Sequence, residues 1–261
     1  MKGWFFNMDY KFSDKVTKLQ ASAIREILKF TSVPGVISFA AGNPAPEAFP
    51  TQKIAEISEE LLRDDPILAL QYNITEGYTP LRDFLKQWLA SKNCYNPDLD
   101  DVVVTSGGQQ ANELSCKVLL NEGDTLLCES PCFIGSLNAF RSYNVNLCGV
   151  DMDDDGINIE KLENAIKTHK NVKMLYVIPN FQNPTGRTMS FEKRKAVYEL
   201  ACKYDFIILE DDPYGELRFA GENVPAIKSL DTEGRVIYTS TFSKILSSGF
   251  RTGFVSAPAP I

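Results

Sequence analysis

A chain of 261 residues that is 44% hydrophobic and 23% charged is globular and long enough for one large core, with room for the start of a second lobe. Its 27 basic and 34 acidic side chains leave a net charge of −7 with no basic block or stripe, which argues against nucleic acid or an anionic membrane as the main partner. No apolar run approaches the roughly 18–20 residues of a membrane span. One histidine and six scattered cysteines leave little from which to build a metal site.

The opening Met-Lys-Gly-Trp-Phe-Phe is interrupted too soon, by Asp9 and Lys11, to read as a secretory signal. The cysteines lack CxxC pairing, so a reduced, cytoplasmic protein is expected. Val16–Lys29 reads as a helix, and Val36–Phe39 as a short strand leading into the Gly/Pro-rich turn 41–46. Helices follow at Lys53–Arg63 and at Thr79–Lys92, the second with Pro80 in its first turn.

From residue 102 onward, strand and helix alternate. Val102–Thr105 is a strand, followed by a helix to about Leu120; Thr125–Glu129 is a strand, followed by a helix at Ile134–Arg141. Asn146–Val150 then precedes a helix at Ile159–Thr168, and an amphipathic helix spans Phe191–Lys203. Val172–Ile178 and Phe206–Glu210 are continuous apolar runs of the kind buried in parallel sheets. Val236–Ser240 and Gly253–Ser256 complete the series. Such alternation predicts an α/β domain with a mostly parallel sheet, its functional groups at the carboxyl ends of the strands. His169 falls at a helix end, where solvation and not base catalysis is expected.

Several strand ends carry chemistry-bearing strings. Thr105-Ser-Gly-Gly-Gln-Gln110 opens a helix with glycines that let backbone N–H groups approach an anion. Phe133, in Glu-Ser-Pro-Cys-Phe, stands where an aromatic can stack on a flat ring. Asn183 precedes Pro184 in Pro-Asn-Phe-Gln-Asn-Pro-Thr-Gly and is held away from the α region. Asp211, in Asp-Asp-Pro-Tyr214, can keep a pyridine nitrogen protonated. Lys244, in Thr-Phe-Ser-Lys, lies seven residues before Arg251, so a reactive amine and an anion anchor fall in one segment. Taken singly, each string has an ordinary reading: an eased helix start, a core aromatic, a plain Asn-Pro turn, a solvated acidic loop, a surface lysine.

Together, and in this order, they resemble the class I/II (fold-type I) pyridoxal-phosphate aminotransferases from about Val16 to Val255. The stretch from Ala-Ile-Arg-Glu-Ile-Leu-Lys to Ile-Ser-Phe-Ala-Ala-Gly-Asn-Pro-Ala-Pro-Glu-Ala-Phe-Pro is most similar to the 2-aminoadipate and kynurenine aminotransferase branch. The resemblance implies a mostly parallel, seven-stranded large domain over 46–261, preceded by an arm and small-domain segment over 1–45.

By the same resemblance the cofactor is pyridoxal 5′-phosphate. Lys244 anchors it covalently, Asp211 pairs with its ring nitrogen, and Asn183 and Tyr214 contact its O3′. Phe133 stacks on the ring where many relatives have Tyr. Gly108, Gln109, Thr241, Ser243 and Arg251 line the phosphate site, with Gly108 in place of a common Ser. Tyr72 matches a tyrosine that reaches the phosphate of a neighbouring subunit, which implies a homodimer with shared sites. Arg25, Gly42 and Asn183 are the substrate contacts, and Asn43 replaces a usually apolar residue.

The implied reaction moves an amino group from an L-amino acid (2-aminoadipate-like, aromatic or aliphatic) to a 2-oxo acid such as 2-oxoglutarate. A lyase or decarboxylase on the same fold is the alternative, because cofactor residues do not fix reaction type. A ligand-sensing domain of a MocR-type transcription regulator is another, although no basic recognition helix is seen. Family members continue past the lysine segment into a small C-terminal domain carrying the arginine for the substrate α-carboxylate. That arginine is expected beyond residue 261, and these 261 residues alone are expected to bind cofactor better than they turn over substrate.

Overall fold

The computed structural model describes residues 10–13, 15, 33, 35–37, 42 and 44–261. The helix expected at Val16–Lys29 lies outside the described residues, as do Arg25 and Asn43. Of the strand expected at Val36–Phe39, only Val36 and Ile37 are described, and they are not in a strand.

The strands are β1 (Asp100–Thr105), β2 (Thr125–Ser130), β3 (Asn146–Asp153), β4 (Gly156–Ile157), β5 (Val172–Val177), β6 (Ile207–Asp211), β7 (Val236–Thr241) and β8 (Gly253–Pro258). They form one 8-stranded sheet in the order β1-β8-β7-β6-β5-β2-β3-β4. Neighbours from β7 through β3 are parallel, whereas β8 runs antiparallel to both β7 and β1. The expected mostly parallel α/β sheet is therefore present, with eight strands and not seven. The additional strand is β4, two residues that return antiparallel onto the end of β3; a pair so short carries no periodicity to read.

The helices are α1 (Thr51–Asp64), α2 (Pro66–Leu70), α3 (Thr79–Ala90), α4 (Gly108–Leu119), α5 (Ile134–Arg141), α6 (Ile159–Thr168) and α7 (Phe191–Tyr204). Among these, α2 was not anticipated: Asp65 caps it by accepting from the Leu68 N–H at 3.2 Å, and Pro66 occupies its first position. Asn158 and Ser190 cap α6 and α7 in the same way.

Strand alternation divides the core between the two faces of the sheet. Leu127, Leu175, Val177, Ile208 and Val236 point to one side, against Leu162 and Ile166 of α6 and Val197, Leu200 and Ala201 of α7. Leu126, Cys128, Met174, Tyr176, Leu209 and Ile237 point to the other, against Cys116 of α4 and Phe140 of α5. Both faces of the central strands are covered, which explains why β5 and β6 read as unbroken apolar runs. Each fully buried aliphatic side chain contributes about 1.5–3 kcal/mol. A smaller cluster of Leu85, Leu89, Val102 and Phe254 seats α3 against the β1–β8 edge. Among the described residues, no helix is long and apolar enough to cross a membrane. His169 is exposed at the end of α6, its Nδ1 2.9 Å from the carbonyl of Ala165.

Candidate active site

The carboxyl ends of β2, β5, β6 and β7 open on one side of the sheet, with the N-terminus of α4 beside them. A cavity of about 530 Å³ lies there. Of the residues singled out in the sequence, Gly42, Gly108, Gln109, Phe133, Asn183, Asp211, Tyr214, Thr241, Ser243, Lys244 and Arg251 all line it. Lining residues from Gly108 to Arg251, 143 positions apart, meet because the parallel crossovers return β2, β5, β6 and β7 to the same end of the sheet.

One corner is built for an anion. Gly107, the residue before α4, has φ +82°, and a side-chain carbon there would press on the Arg251 guanidinium. The positive φ favours a residue without Cβ there, and the absence of that carbon lets the Arg251 guanidinium lie against the backbone. Arg251 Nη1 donates to Ser243 Oγ at 3.5 Å and to the Ser248 carbonyl at 3.2 Å, and Nη2 donates to the Ser106 carbonyl at 3.4 Å. Thr241 Oγ1 and Ser243 Oγ lie 2.9 Å apart. Hydroxyls, a guanidinium and the positive end of α4 therefore converge.

The opposite side holds Asp211, buried at the end of β6. Asn112 Nδ2 donates to its Oδ2 at 2.8 Å and Tyr176 Oη donates to the same oxygen at 2.7 Å. Burial pushes its carboxyl up to about 6, against the pull of the Asn112 and Tyr176 hydrogen bonds; neighbouring Asp212 adds to the rise and Thr239 opposes it. The polar groups around this acid are neutral donors, so a cation placed in the cavity relieves its desolvation.

Between these poles, Asn183 Nδ2 donates to Tyr214 Oη at 3.1 Å. Burial raises the Tyr214 phenol above its ordinary range, the Asn183 bond lowers it in part, and the Asp211 charge raises it again. The Asn183–Pro184 and Ser130–Pro131 peptide bonds are cis. Lys244 follows β7 in the short helical segment Ser243–Ser247; its Nζ donates to the Gly42 carbonyl at 3.3 Å and lies 6.0 Å from the centre of the Tyr214 ring. Phe133 and Pro213 supply apolar walls, and Gln109 Nε2 donates to the Gly135 carbonyl at 3.2 Å. Behind Phe133, Glu129 ties β2 to β5 by accepting from the Ile178 N–H at 3.0 Å, and burial pushes its carboxyl up to about 8.

Tyr72 is not brought to this cavity. It follows α2 with 98% of its surface exposed. The reading of the motifs also missed Asn112, Ile178, Pro213 and Ser248, which line the cavity, and Tyr176, Ser136 and Thr239 behind Asp211. Spacing offered a signal for some of them. Asn112 is four residues after Gly108 and so on the same helix face, and Tyr176 is a lone hydroxyl within the apolar run of β5.

A second cavity, about 370 Å³, opens beside Lys92, Asn180, Asp212, Glu216 and Arg218. Its polar groups are largely matched already. Asp212 accepts from Asn180, the Gly215 N–H and Tyr238, Lys92 pairs with Glu216, and Arg218 lies over the Phe181 ring.

Comparison with known proteins agrees with the geometry. The sequence profile of "Aminotransferase class I and II" matches residues 34–261. The aromatic-amino-acid aminotransferase 1 of Thermococcus litoralis is 47% identical over 96% of this chain, which spans 61% of that protein. The crystal structure of Pyrococcus horikoshii kynurenine aminotransferase in complex with PMP superposes with a TM-score of 0.90 at 44% identity, over 95% of this chain and 62% of the other. The α-aminoadipate aminotransferase of Thermus thermophilus, complexed with N-(5′-phosphopyridoxyl)-L-leucine, superposes with a TM-score of 0.83 at 38% identity, over 94% and 61%. The chain thus spans about three fifths of the length of these relatives. With a profile match across most of its length, the chain belongs to the class I and II aminotransferases.

Proposed function

We propose that these residues form the cofactor-holding part of a pyridoxal-phosphate-dependent aminotransferase that transfers the amino group of an L-amino acid to a 2-oxo acid. The observation that carries the reading is the meeting of one amine, one buried carboxylate and one hydroxyl–guanidinium corner around a single cavity. Residues 46–261 are read as the large domain and 1–45 as an arm with a small-domain segment.

The donor set fits the group. The Gly107–Gly108 backbone, Thr241, Ser243 and Arg251 suit a phosphate, with Gln109 beside them. Asp211 suits a protonated ring nitrogen, Asn183 and Tyr214 a ring hydroxyl, and Phe133 the ring face. Lys244 supplies the anchoring amine. Once bound, the cofactor supplies an electron sink that lets the Cα–H bond of an amino acid break heterolytically.

The protein's share of the chemistry follows from its own groups. Lys244 Nζ, freed from its anchoring role, takes the proton from the substrate Cα and later returns it. Asp211 keeps negative charge opposite the ring nitrogen throughout. The Asn183–Tyr214 pair would hold the hydroxyl edge of the group, the Arg251 corner its anionic end, and Phe133 would pack against its ring. Tyr72, being exposed, is free to meet a second copy of the chain, as a homodimer with shared sites requires. Arg25 and Gly42 are the candidate substrate contacts.

Relatives named for aromatic amino acids, kynurenine and α-aminoadipate indicate donors of those classes, with 2-oxoglutarate the acceptor to test first. Borohydride reduction of the cofactor-supplied full-length protein is expected to label residue 244, and Lys244→Ala to abolish both the label and exchange of the α-proton. A label elsewhere, or exchange at the unaltered rate in Lys244→Ala, overturns the assignment. Glutamate formed from 2-oxoglutarate marks transamination, whereas ammonia or CO₂ marks the lyase or decarboxylase alternative.

A further inference from the structure

Asp211 is hydrogen-bonded unevenly. Its Oδ2 receives both short bonds, from Tyr176 and Asn112. Its Oδ1 has a single contact, Thr239 Oγ1 at 3.4 Å across the β6–β7 register.

Counting protons settles who donates to whom. The Asn112 amide gives one N–H to Asp211 and the other to Ser136 Oγ at 3.1 Å. Ser136 lies 2.9 Å from Tyr176 Oη. The single Tyr176 proton is committed to Asp211, so Ser136 must be the donor to Tyr176. Burial and the Asp211 charge raise the Tyr176 phenol well above its ordinary range, which keeps it a donor. Thr239 also has one proton, and Asn112 Oδ1 is nearer, at 3.2 Å, than Asp211 Oδ1. Reversing the Asn112 amide would set its oxygen against the carboxylate and leave Thr239 without this acceptor. Both short donations therefore go to Oδ2, and Oδ1 receives only the long contact of the Thr239 hydroxyl, which Asn112 Oδ1 and the Glu210 carbonyl share.

We infer that Tyr176, Asn112, Ser136 and Thr239 form a one-way circuit of positioning residues that commits Asp211 Oδ2 to the protein and offers Oδ1 alone to a cation in the cavity. The inference deepens the proposed function, since the cation it implies is a protonated, nitrogen-containing aromatic ring. None of the four needs to touch the reacting atoms. They act by fixing the rotation of one carboxylate and holding its charge in a buried place. Asp212 on the same strand end, Tyr176 on β5 with Cys132 behind it, and Tyr214, Lys244 and Arg251 around the cavity are the other titratable or charged groups that face Asp211.

The test is Tyr176→Phe in the full-length protein, which keeps the ring and removes the donor, with Ser136→Ala as a second variant that leaves Tyr176 in place. Affinity for pyridoxal phosphate is expected to fall about tenfold in Tyr176→Phe, the equivalent of one charge-assisted hydrogen bond. It should fall by a smaller factor in Ser136→Ala. The Asp211 carboxyl, followed by ¹³C NMR in cofactor-free protein, should titrate at higher pH in both variants. Wild-type affinity and titration in both variants overturn the circuit even if the wild type binds the cofactor at Lys244. If the wild type binds no cofactor, the function proposed above fails, and the ¹³C titration still decides whether the circuit sets the state of Asp211.

Discussion

Two buried clusters of charge sit at opposite ends of the same sheet and are completed differently. At the amino ends of β1 and β7, Lys228 Nζ meets Asp100 Oδ1 at 2.7 Å, Asp231 Oδ2 at 2.9 Å and the Val236 carbonyl at 3.0 Å, with all three side chains 0–2% exposed. At the carboxyl ends, Asp211 is as deeply buried but is held only by the neutral donors Asn112, Tyr176 and Thr239. The first cluster closes on itself, its ammonium facing two carboxylates. The second, among the described residues, holds no cation at all. On the function proposed above, the second arrangement is left open so that a ligand supplies the cation, which is the difference between a structural ion cluster and a binding one.

The comparison breaks most visibly at Lys228. Lys228→Met strands Asp100 and Asp231 without their cation and is expected to cost about 3–5 kcal/mol, read as a fall in the denaturant midpoint. Asp211→Asn should do the reverse to the cofactor-free protein, leaving stability equal or higher because a buried charge is removed. The same change should weaken pyridoxal phosphate binding about a hundredfold, measured by equilibrium titration. Loss of stability in Asp211→Asn, or none in Lys228→Met, would erase the distinction.

A further expected effect is on pH dependence. Burial raises Asp211 to about 6, Glu210 to about 7 and Glu129 to about 8. Between its unfolded and folded values each acid binds more protons in the native state than in the unfolded one. Stability of the cofactor-free protein therefore falls as pH rises from 5 to 8, by up to about 1.4 kcal/mol per pH unit for each group. Glu129→Gln should flatten the upper part of that slope in denaturation curves taken at several pH values. An unchanged slope would place the Glu129 proton elsewhere.

Legibility in the sequence followed the physics of each segment. The Ile134–Arg141 and Ile159–Thr168 helices carry enough turns of periodicity to read to the residue, and β5 and β6 are apolar on both faces because helices cover both. The site's outer groups stand in strings with turn chemistry, such as Asn183-Pro184 and Gly107-Gly108, so they could be found one by one. Of the groups behind Asp211, only Tyr176 left a trace, as a lone hydroxyl in the apolar run of β5. Tyr176, Ser136 and Thr239 lie inside regular elements with no local punctuation, and only the pairing of β5 with β6 and β6 with β7 brings them to one carboxylate. The two-residue β4 escaped for lack of length, and α2 because its cap and proline follow α1 without a break.

Gly108 and Asn112 give α4 a metrical role. One lies at the anion corner and the other grips Asp211, four residues and about 6 Å of helical rise apart. A single stiff rod therefore sets the span between the two grips, which on the function proposed above would hold the cofactor's two polar ends. Inserting or deleting one residue between those positions would swing one grip about 100° away from the other, so the helix tolerates substitution there far better than a change of length.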